Sequence, residues 1–218
     1  MFLNTNRWNR MRYTLWAPLY DRLAGVLQSR RRRSVQLLHL QPGESVLIVG
    51  AGTGLDLPLL PRGVSVTAVD ITPAMVKRLR RRAGALGIPV DARVMDGQSL
   101  AFPDGAFDAV ILHLILAVIP DPYACIREAE RVLRPGGRLV ILDKFLPDDR
   151  SPSLARRVLN GITRILATDI NRQVGPILAA TRLRVEHQEP AGFGGLFQLL
   201  LCRKAVPDEP GDGATARW

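Results

Sequence analysis

Two cysteines, Cys125 and Cys202, and three histidines in 218 residues leave little material for a disulfide framework or a structural zinc site. The cysteines lie far apart and follow no metal-ligand spacing, so no metal is expected and a reducing, cytoplasmic setting is the default. Long apolar runs are also missing. The longest, residues 110–120, is interrupted by His113. At about 11 residues it falls well short of the roughly 20 needed to span a membrane. A secretory pattern is absent as well, because Arg7, Arg10 and Arg12 are interleaved with Trp8, Tyr13 and Trp16 instead of preceding an apolar core. Acidic residues are in the minority, 20 against 30 Lys and Arg, which leaves a net charge of +10.

A basic chain favours polyanions, either nucleic acid or the surface of an anionic membrane. Plain colloidal solubility accounts for the charge about as well. Its distribution is uneven. Arg7, Arg10, Arg12, Arg22 and Arg30 to Arg33 crowd the first 33 residues, and a second cluster joins Lys77, Arg78, Arg80, Arg81 and Arg82. With 47% hydrophobic residues, the chain has enough apolar material for a full core, so disorder of the whole is excluded.

Residues 1–40 read as amphipathic helices, with Trp8, Met11, Leu15, Leu19, Leu23 and Val26 at spacings of three and four and a joint near Pro18. Gln41-Pro42-Gly43 marks a turn. The chain then alternates. Strands are expected at 45–49, 64–69, 90–95, 107–112 and 138–144. Helices are expected at 72–86, opened by Thr72-Pro73, and at 122–133, stopped by Pro135-Gly136-Gly137. This rhythm implies a parallel sheet with helices on both faces. Two further helices are expected within 151–180. Residues 183–187 and 196–203 suit a closing antiparallel pair. A disordered tail is expected from 205 to 218.

The most informative segment is Gly50-Ala51-Gly52-Thr53-Gly54, which follows the first strand. Closely spaced glycines let the backbone turn tightly and let a ligand approach the main chain. Dinucleotide sites want G-x-G-x-x-G; here the third glycine comes one residue early and Leu55 stands in its place, which disfavours NAD and FAD. Asp70 ends the second strand. A carboxylate there can accept from both ribose hydroxyls of an adenosine. The alternative is a turn or cap carboxylate before Thr72.

At these residues the chain resembles the class I S-adenosylmethionine-dependent methyltransferases, over residues 42 to about 145. Gly50, Ala51, Gly52, Thr53 and Gly54 look like the family's first motif, which wraps the methionine part of S-adenosyl-L-methionine. Asp70 matches the ribose-binding acid, with Ile71 and Met75 beyond it in the same site. Asp96 and Gly97, in Met95-Asp96-Gly97-Gln98, match the stretch that reads the adenine. Phe102-Pro103-Asp104-Gly105-Ala106-Phe107-Asp108 and Leu133-Arg134-Pro135-Gly136-Gly137 match the entries to the fourth and fifth strands. The resemblance implies a Rossmann-like, doubly wound α/β sheet, mostly parallel with a C-terminal antiparallel strand. It also implies N-terminal lid helices (1–40) over a methyltransferase domain (41–204). One position departs: Ile48 stands where the family usually has an acid that helps hold the cofactor's amino group.

Within the superfamily, residues 13–21, YTLWAPLYD, resemble the lid shared by ubiquinone/menaquinone C-methyltransferases and bacterial phospholipid N-methyltransferases; by that likeness Tyr20 closes over the cofactor. Residues 53–58 and 117–122 look closer to the phospholipid enzymes. Methyl transfer from a sulfonium needs positioning and desolvation above all. A base is needed only when the acceptor must first lose a proton, as a phospholipid ammonium must. His113, at the carboxyl end of the fourth strand, is the candidate for a catalytic or cofactor-contacting group, weighed evenly against a histidine packed in the core. Asp143 and Lys144 could contact substrate, or form a buried salt bridge or cap. Asp121-Pro122-Tyr123 lies too late to be the motif of planar-amine methyltransferases, which disfavours adenine or glutamine methylation and leaves other nucleic-acid substrates open; with no added RNA-binding module, nucleic acid is not an expected partner. A phospholipid-type amine at an anionic membrane surface, such as the inner face of the membrane, is the leading acceptor; a small or quinone-like molecule is the alternative. A non-catalytic cofactor binder is the third reading.

Overall fold

A computed structural model of the chain describes Thr5 and residues 27–146, 171–192 and 195–206. Most of the expected lid, including Tyr20, the segment 151–170 and the tail beyond 206 lie outside the described residues.

The elements run α1 (Gln28–Leu37), β1 (Ser45–Val49), β2 (Ser65–Asp70), α2 (Pro73–Leu86), β3 (Asp91–Val94), β4 (Phe107–His113), α3 (Pro122–Val132), β5 (Leu133–Lys144), α4 (Val174–Leu178), β6 (Leu183–Pro190) and β7 (Phe197–Lys204). They build one seven-stranded sheet in the order β3-β2-β1-β4-β5-β7-β6. The first five strands are parallel, and β7 runs antiparallel to β5 and β6. The expected Rossmann-like architecture is therefore the observed one.

The strands are apolar on both sides because both sides are covered. Val46, Ile48, Ala68, Ile111 and Val140 meet Val35 and Leu38 of α1 and Val76, Leu79 and Ala83 of α2. Leu47, Val49, Val110, Leu112 and Ile141 turn the other way, to Cys125, Ile126 and Ala129 of α3 and Val174 and Ile177 of α4. Helix α1, expected to belong to a lid, thus packs on the sheet itself through Val35 and Leu38.

Boundaries shift where local chemistry competes. Thr72 is the N-cap residue of α2, but its side chain makes no capping bond; Pro73 begins the helix, and Gly87 ends it in the left-handed conformation. Asp121 does cap α3, accepting from the Ala124 amide at 3.0 Å, so Asp121-Pro122-Tyr123 opens a helix. Strand β5 starts at Leu133, five residues earlier than expected. Pro135-Gly136-Gly137 interrupts its register with β4 without ending the pairing.

Strand order reverses between β1 and β4. In open α/β sheets a crevice opens at the carboxyl ends of the strands at this point.

Candidate active site

At that crevice lies a cleft with about 610 Å³ of atom-free space, part of it open to solvent. Gly50, Gly52, Asp70, Ile71, Met75, Asp96 and Gly97 line it, as the sequence leads one to expect. Thr72, Met95, Leu114, Ile115 and Val118 line it too. Met95 enters after β3 within the Met95-Asp96-Gly97-Gln98 stretch, whereas Thr72, Leu114, Ile115 and Val118 are ordinary apolar or hydroxyl residues brought in by the turns after β2 and β4. Leu114 holds a left-handed φ of 60°, rare for a branched side chain, and its amide donates to the Leu142 carbonyl at 2.8 Å. The strained turn aims Ile115 at the glycine loop.

The loop's residues divide their work. Gly50, Gly52 and Gly54 all have positive φ. A Cβ on Gly50 would stand 2.7 Å from Ile115 Cδ1, and one on Gly97 2.7 Å from Val49 Cγ1. Gly54 sits outside the cleft. A Cβ there would press on Leu57 and Leu79, so this glycine lets α2 approach the loop. Ala51 and Thr53 are buried, and the Thr53 carbonyl accepts from Arg82 Nη1 at 2.9 Å. These three shape the turn from behind the cleft.

Asp70 unites the two roles weighed for it. Its Oδ2 accepts from the Gly52 amide at 2.9 Å and its Oδ1 from the Thr72 amide at 2.8 Å, while the residue lines the cleft. Burial pushes its carboxyl pKa up, and the two amide bonds oppose the shift. Asp96 accepts from the Gln98 amide at 3.0 Å and from the Gln98 side chain at 2.9 Å, and Gln98 in turn accepts from the Asp121 amide at 2.8 Å. The second acid is thereby fixed against α3.

His113 requires a correction. Its side chain does not line the cleft. It is buried on the α1 side of the sheet, with Nδ1 2.8 Å from Asp56 Oδ1 and Nε2 2.9 Å from Ser34 Oγ. Arg31 Nη1 donates to both Asp56 oxygens, at 2.8 and 2.9 Å. With both ring nitrogens engaged, the core reading prevails: register with β1 turns His113 to the same face as Ile111 and Ile48. Ile48 itself is fully buried among apolar neighbours.

The cleft fits a nucleoside with a polar extension. The Thr72 hydroxyl is buried and lacks a partner of hydrogen-bonding geometry, though it lies close enough to favour Asp70 in its ionised form. Two carboxylates face a wall that is otherwise largely apolar, through Ile71, Met75, Met95 and Val118. Each Asp70 oxygen donates nothing and keeps a lone pair beyond the amide it already accepts. Such a site would be filled in part by a side chain at Gly50 or Gly97.

Fold and cleft define an α/β domain that binds a nucleoside-type cofactor at its switch point. Residues 47–141 match the family described as "Methyltransferase domain". The chain is 36% identical to the phosphatidylethanolamine N-methyltransferase of Cereibacter sphaeroides, over 88% of this chain and 95% of that protein. It is 37% identical to the demethylmenaquinone methyltransferase of Thermus thermophilus, over 65% of this chain and 68% of the other. Among solved structures, the cyclase SpnF superposes with a TM-score of 0.77 at 19% identity, covering 93% of this chain and 97% of that one. The last likeness concerns the fold alone. The chain belongs to the S-adenosylmethionine-dependent methyltransferases, and S-adenosylmethionine is its cofactor. When bound, that cofactor supplies an electrophilic methyl group on a sulfonium.

Gly50→Ala should leave a folded protein with weakened cofactor binding. The side chain would be held in left-handed backbone, at roughly 1–2 kcal/mol, and would push Ile115 into the cleft. A rise in the dissociation constant of about tenfold is expected by calorimetry. Wild-type affinity would show that the first glycine does not shape the site.

Proposed function

We propose that this enzyme N-methylates a phospholipid amine of the phosphatidylethanolamine type at an anionic membrane surface. The observation that carries the reading is the extent of likeness. At nearly equal identity, the phosphatidylethanolamine enzyme matches over 95% of its length and the demethylmenaquinone enzyme over 68%. In the cleft, Asp70 takes the ribose hydroxyls, Asp96 the adenine end, and the open turn at Gly50 and Gly52 makes room for the methionine part. Thr72 offers its hydroxyl to the same ligand. Tyr20 is proposed to cover the site.

Charge placement supports the membrane surface. Helices α1 and α2 lie on one face of the sheet and carry no acid; Arg30, Arg32 and Arg33 of α1 and Lys77, Arg78, Arg80 and Arg81 of α2 are exposed, while Arg31 is buried on Asp56. Helix α3, on the other face, balances Arg127 and Arg131 with Glu128 and Glu130. Each basic residue near an anionic leaflet contributes about 1 kcal/mol. No helix among the described residues is long and apolar enough to cross a membrane, so contact through this face would be peripheral. Arg78 and Arg81 are exposed. Replacing both with Gln should weaken binding to phosphatidylglycerol-containing vesicles about thirtyfold at low salt, from about 1 kcal/mol each. Flotation insensitive to both substitution and salt would oppose a charge-driven surface.

The equal identity of the demethylmenaquinone enzyme favours a quinone-like acceptor as the second reading. Radiolabelled methyl transfer separates the two. Label in phosphatidylethanolamine and none in demethylmenaquinone supports the first reading; the reverse pattern overturns it.

A further inference from the structure

Lys144 ends β5 at the carboxyl end of the parallel strands, on the α1 side of the sheet. Register places it two residues beyond Leu142, which pairs with His113, and directly beside Phe197 of β7. Its ammonium lies over the Phe197 ring, 5.8 Å from the centroid. Among the described residues it makes no hydrogen bond and no ion pair. Asp143 makes no ion pair with it: consecutive strand residues face opposite sides, and the buried Asp143 carboxylate accepts from the Ala117 amide at 2.9 Å and the Lys144 amide at 2.8 Å. Burial pushes the Lys144 pKa down, and the charge of Asp143 only partly offsets this.

Other sheltered cations are provided for. Arg31 holds Asp56, and Arg138 holds Glu44. Lys204, at the opposite end of β7, gives its ammonium to the carbonyls of Glu130 and Leu133 at 2.7 and 2.6 Å. A half-buried ammonium over an aromatic face keeps donors to spare for an anionic ligand. The anion is therefore to be sought in a ligand.

A second cation comes to the same corner. Arg30, exposed on the first turn of α1, has its Nε 4.0 Å from the position a Cβ would take on Gly192. Gly192 follows Ala191, whose amide donates to the Phe197 carbonyl at 2.7 Å. Glu189, on the same hairpin, is engaged by Arg33 at 3.3 Å and His187 at 2.8 Å. Lys144 thus lies over Phe197 from the sheet, and Arg30 reaches from α1 to Gly192 on the β6–β7 connection that Ala191 ties to Phe197.

We propose that Lys144, with Arg30, forms the anion-binding end of the acceptor site and takes the phosphodiester of the phospholipid amine. The assignment rests on the phospholipid reading above. It sets the phosphate recognition at the β5–β7 corner, with the cofactor cleft two strands away at β1, so a headgroup bridges the switch point between them.

The test is titration of the purified full chain, followed by NMR, with glycerophosphoethanolamine and separately with inorganic phosphate. Lys144→Met keeps most of the stem and removes the charge. It should weaken glycerophosphoethanolamine binding at least tenfold and leave cofactor affinity unchanged, which also reports that the variant is folded. Lys144→Arg should stay within about threefold of wild type, and Arg30→Gln should fall between. In turnover, Lys144→Met should raise KM for the lipid far more than it lowers kcat. Equal headgroup binding by wild type and Lys144→Met overturns the assignment of Lys144 and leaves the phospholipid reading intact. Wild type that binds cofactor but no phosphodiester overturns both. Inorganic phosphate bound as tightly as the headgroup, with the same dependence on Lys144, would assign the corner to free phosphate and not to a lipid.

Discussion

Asp70→Ala should lower the affinity for S-adenosylmethionine by at least a hundredfold. The carboxylate lines the cleft and is proposed to accept both ribose hydroxyls. Charge-assisted hydrogen bonds are worth on the order of 1.5–3 kcal/mol each, and a hundredfold corresponds to about 2.7 kcal/mol. A second loss adds to the first. Asp70 also holds the amides of Gly52 and Thr72, at 2.9 and 2.8 Å, so its removal frees the loop that must meet the methionine part. Asp70→Asn retains one acceptor oxygen and should fall between wild type and Ala. The pH dependence has a definite sign. Burial raises the folded pKa of Asp70 above its ordinary value. The ionised form therefore costs folding stability as pH rises through that window, while affinity for the two hydroxyls is gained there. Calorimetric titration of the purified variants checks both. Unchanged affinity in Asp70→Ala would remove the ribose site from this strand end.

The site was legible wherever a residue type is demanded by backbone geometry or by ligand chemistry. Gly50 and Gly52 announce a tight turn because only glycine holds such φ values cheaply, and Asp70 announces a polar ligand because a carboxylate ending a buried strand needs donors. The sheet was legible for a related reason. Strands covered on both faces must be apolar throughout, and the segments between them carry proline and glycine where the chain turns. What escaped was decided by facing. Nothing in the run of residues 110–113 tells which side of the sheet His113 meets; register with β1 decides it. Likewise Thr72 reads as a cap, and only the structure shows that its side chain makes no capping bond and that the residue lines the cleft. Asp56 passes in sequence for a loop residue, because its partners, Arg31 and His113, stand 25 and 57 positions away.

That hidden group carries the second large prediction. Asp56→Ala should cost about 3–5 kcal/mol, the usual result of breaking a buried ion pair by removing one of its members. Arg31 and Asp56 have side chains only 4% and 3% exposed, and His113 is closed in behind them. Their bonds tie α1 to the turn after Gly54 and to the end of β4, so three elements loosen together. The loss is comparable to much of a domain's total stability, about 5–15 kcal/mol. It should appear as a lower urea midpoint with little change in slope. The sign with pH follows from the folded pKa of Asp56, which His113 and Arg31 hold well below the carboxylate range against the effect of burial. The contribution is full at neutral pH and is lost only in strong acid, as pH falls from the unfolded value through the folded one. His113→Gln, which keeps hydrogen bonding, should cost distinctly less, and methyl transfer should survive in the folded fraction because His113 is outside the cleft. Replacing Arg31 and Asp56 together by Met and Leu should restore much of what Asp56→Ala loses, since an apolar pair leaves no charge stranded. Equal destabilisation of the single and double variants would mean that the pair stabilises by its own attraction.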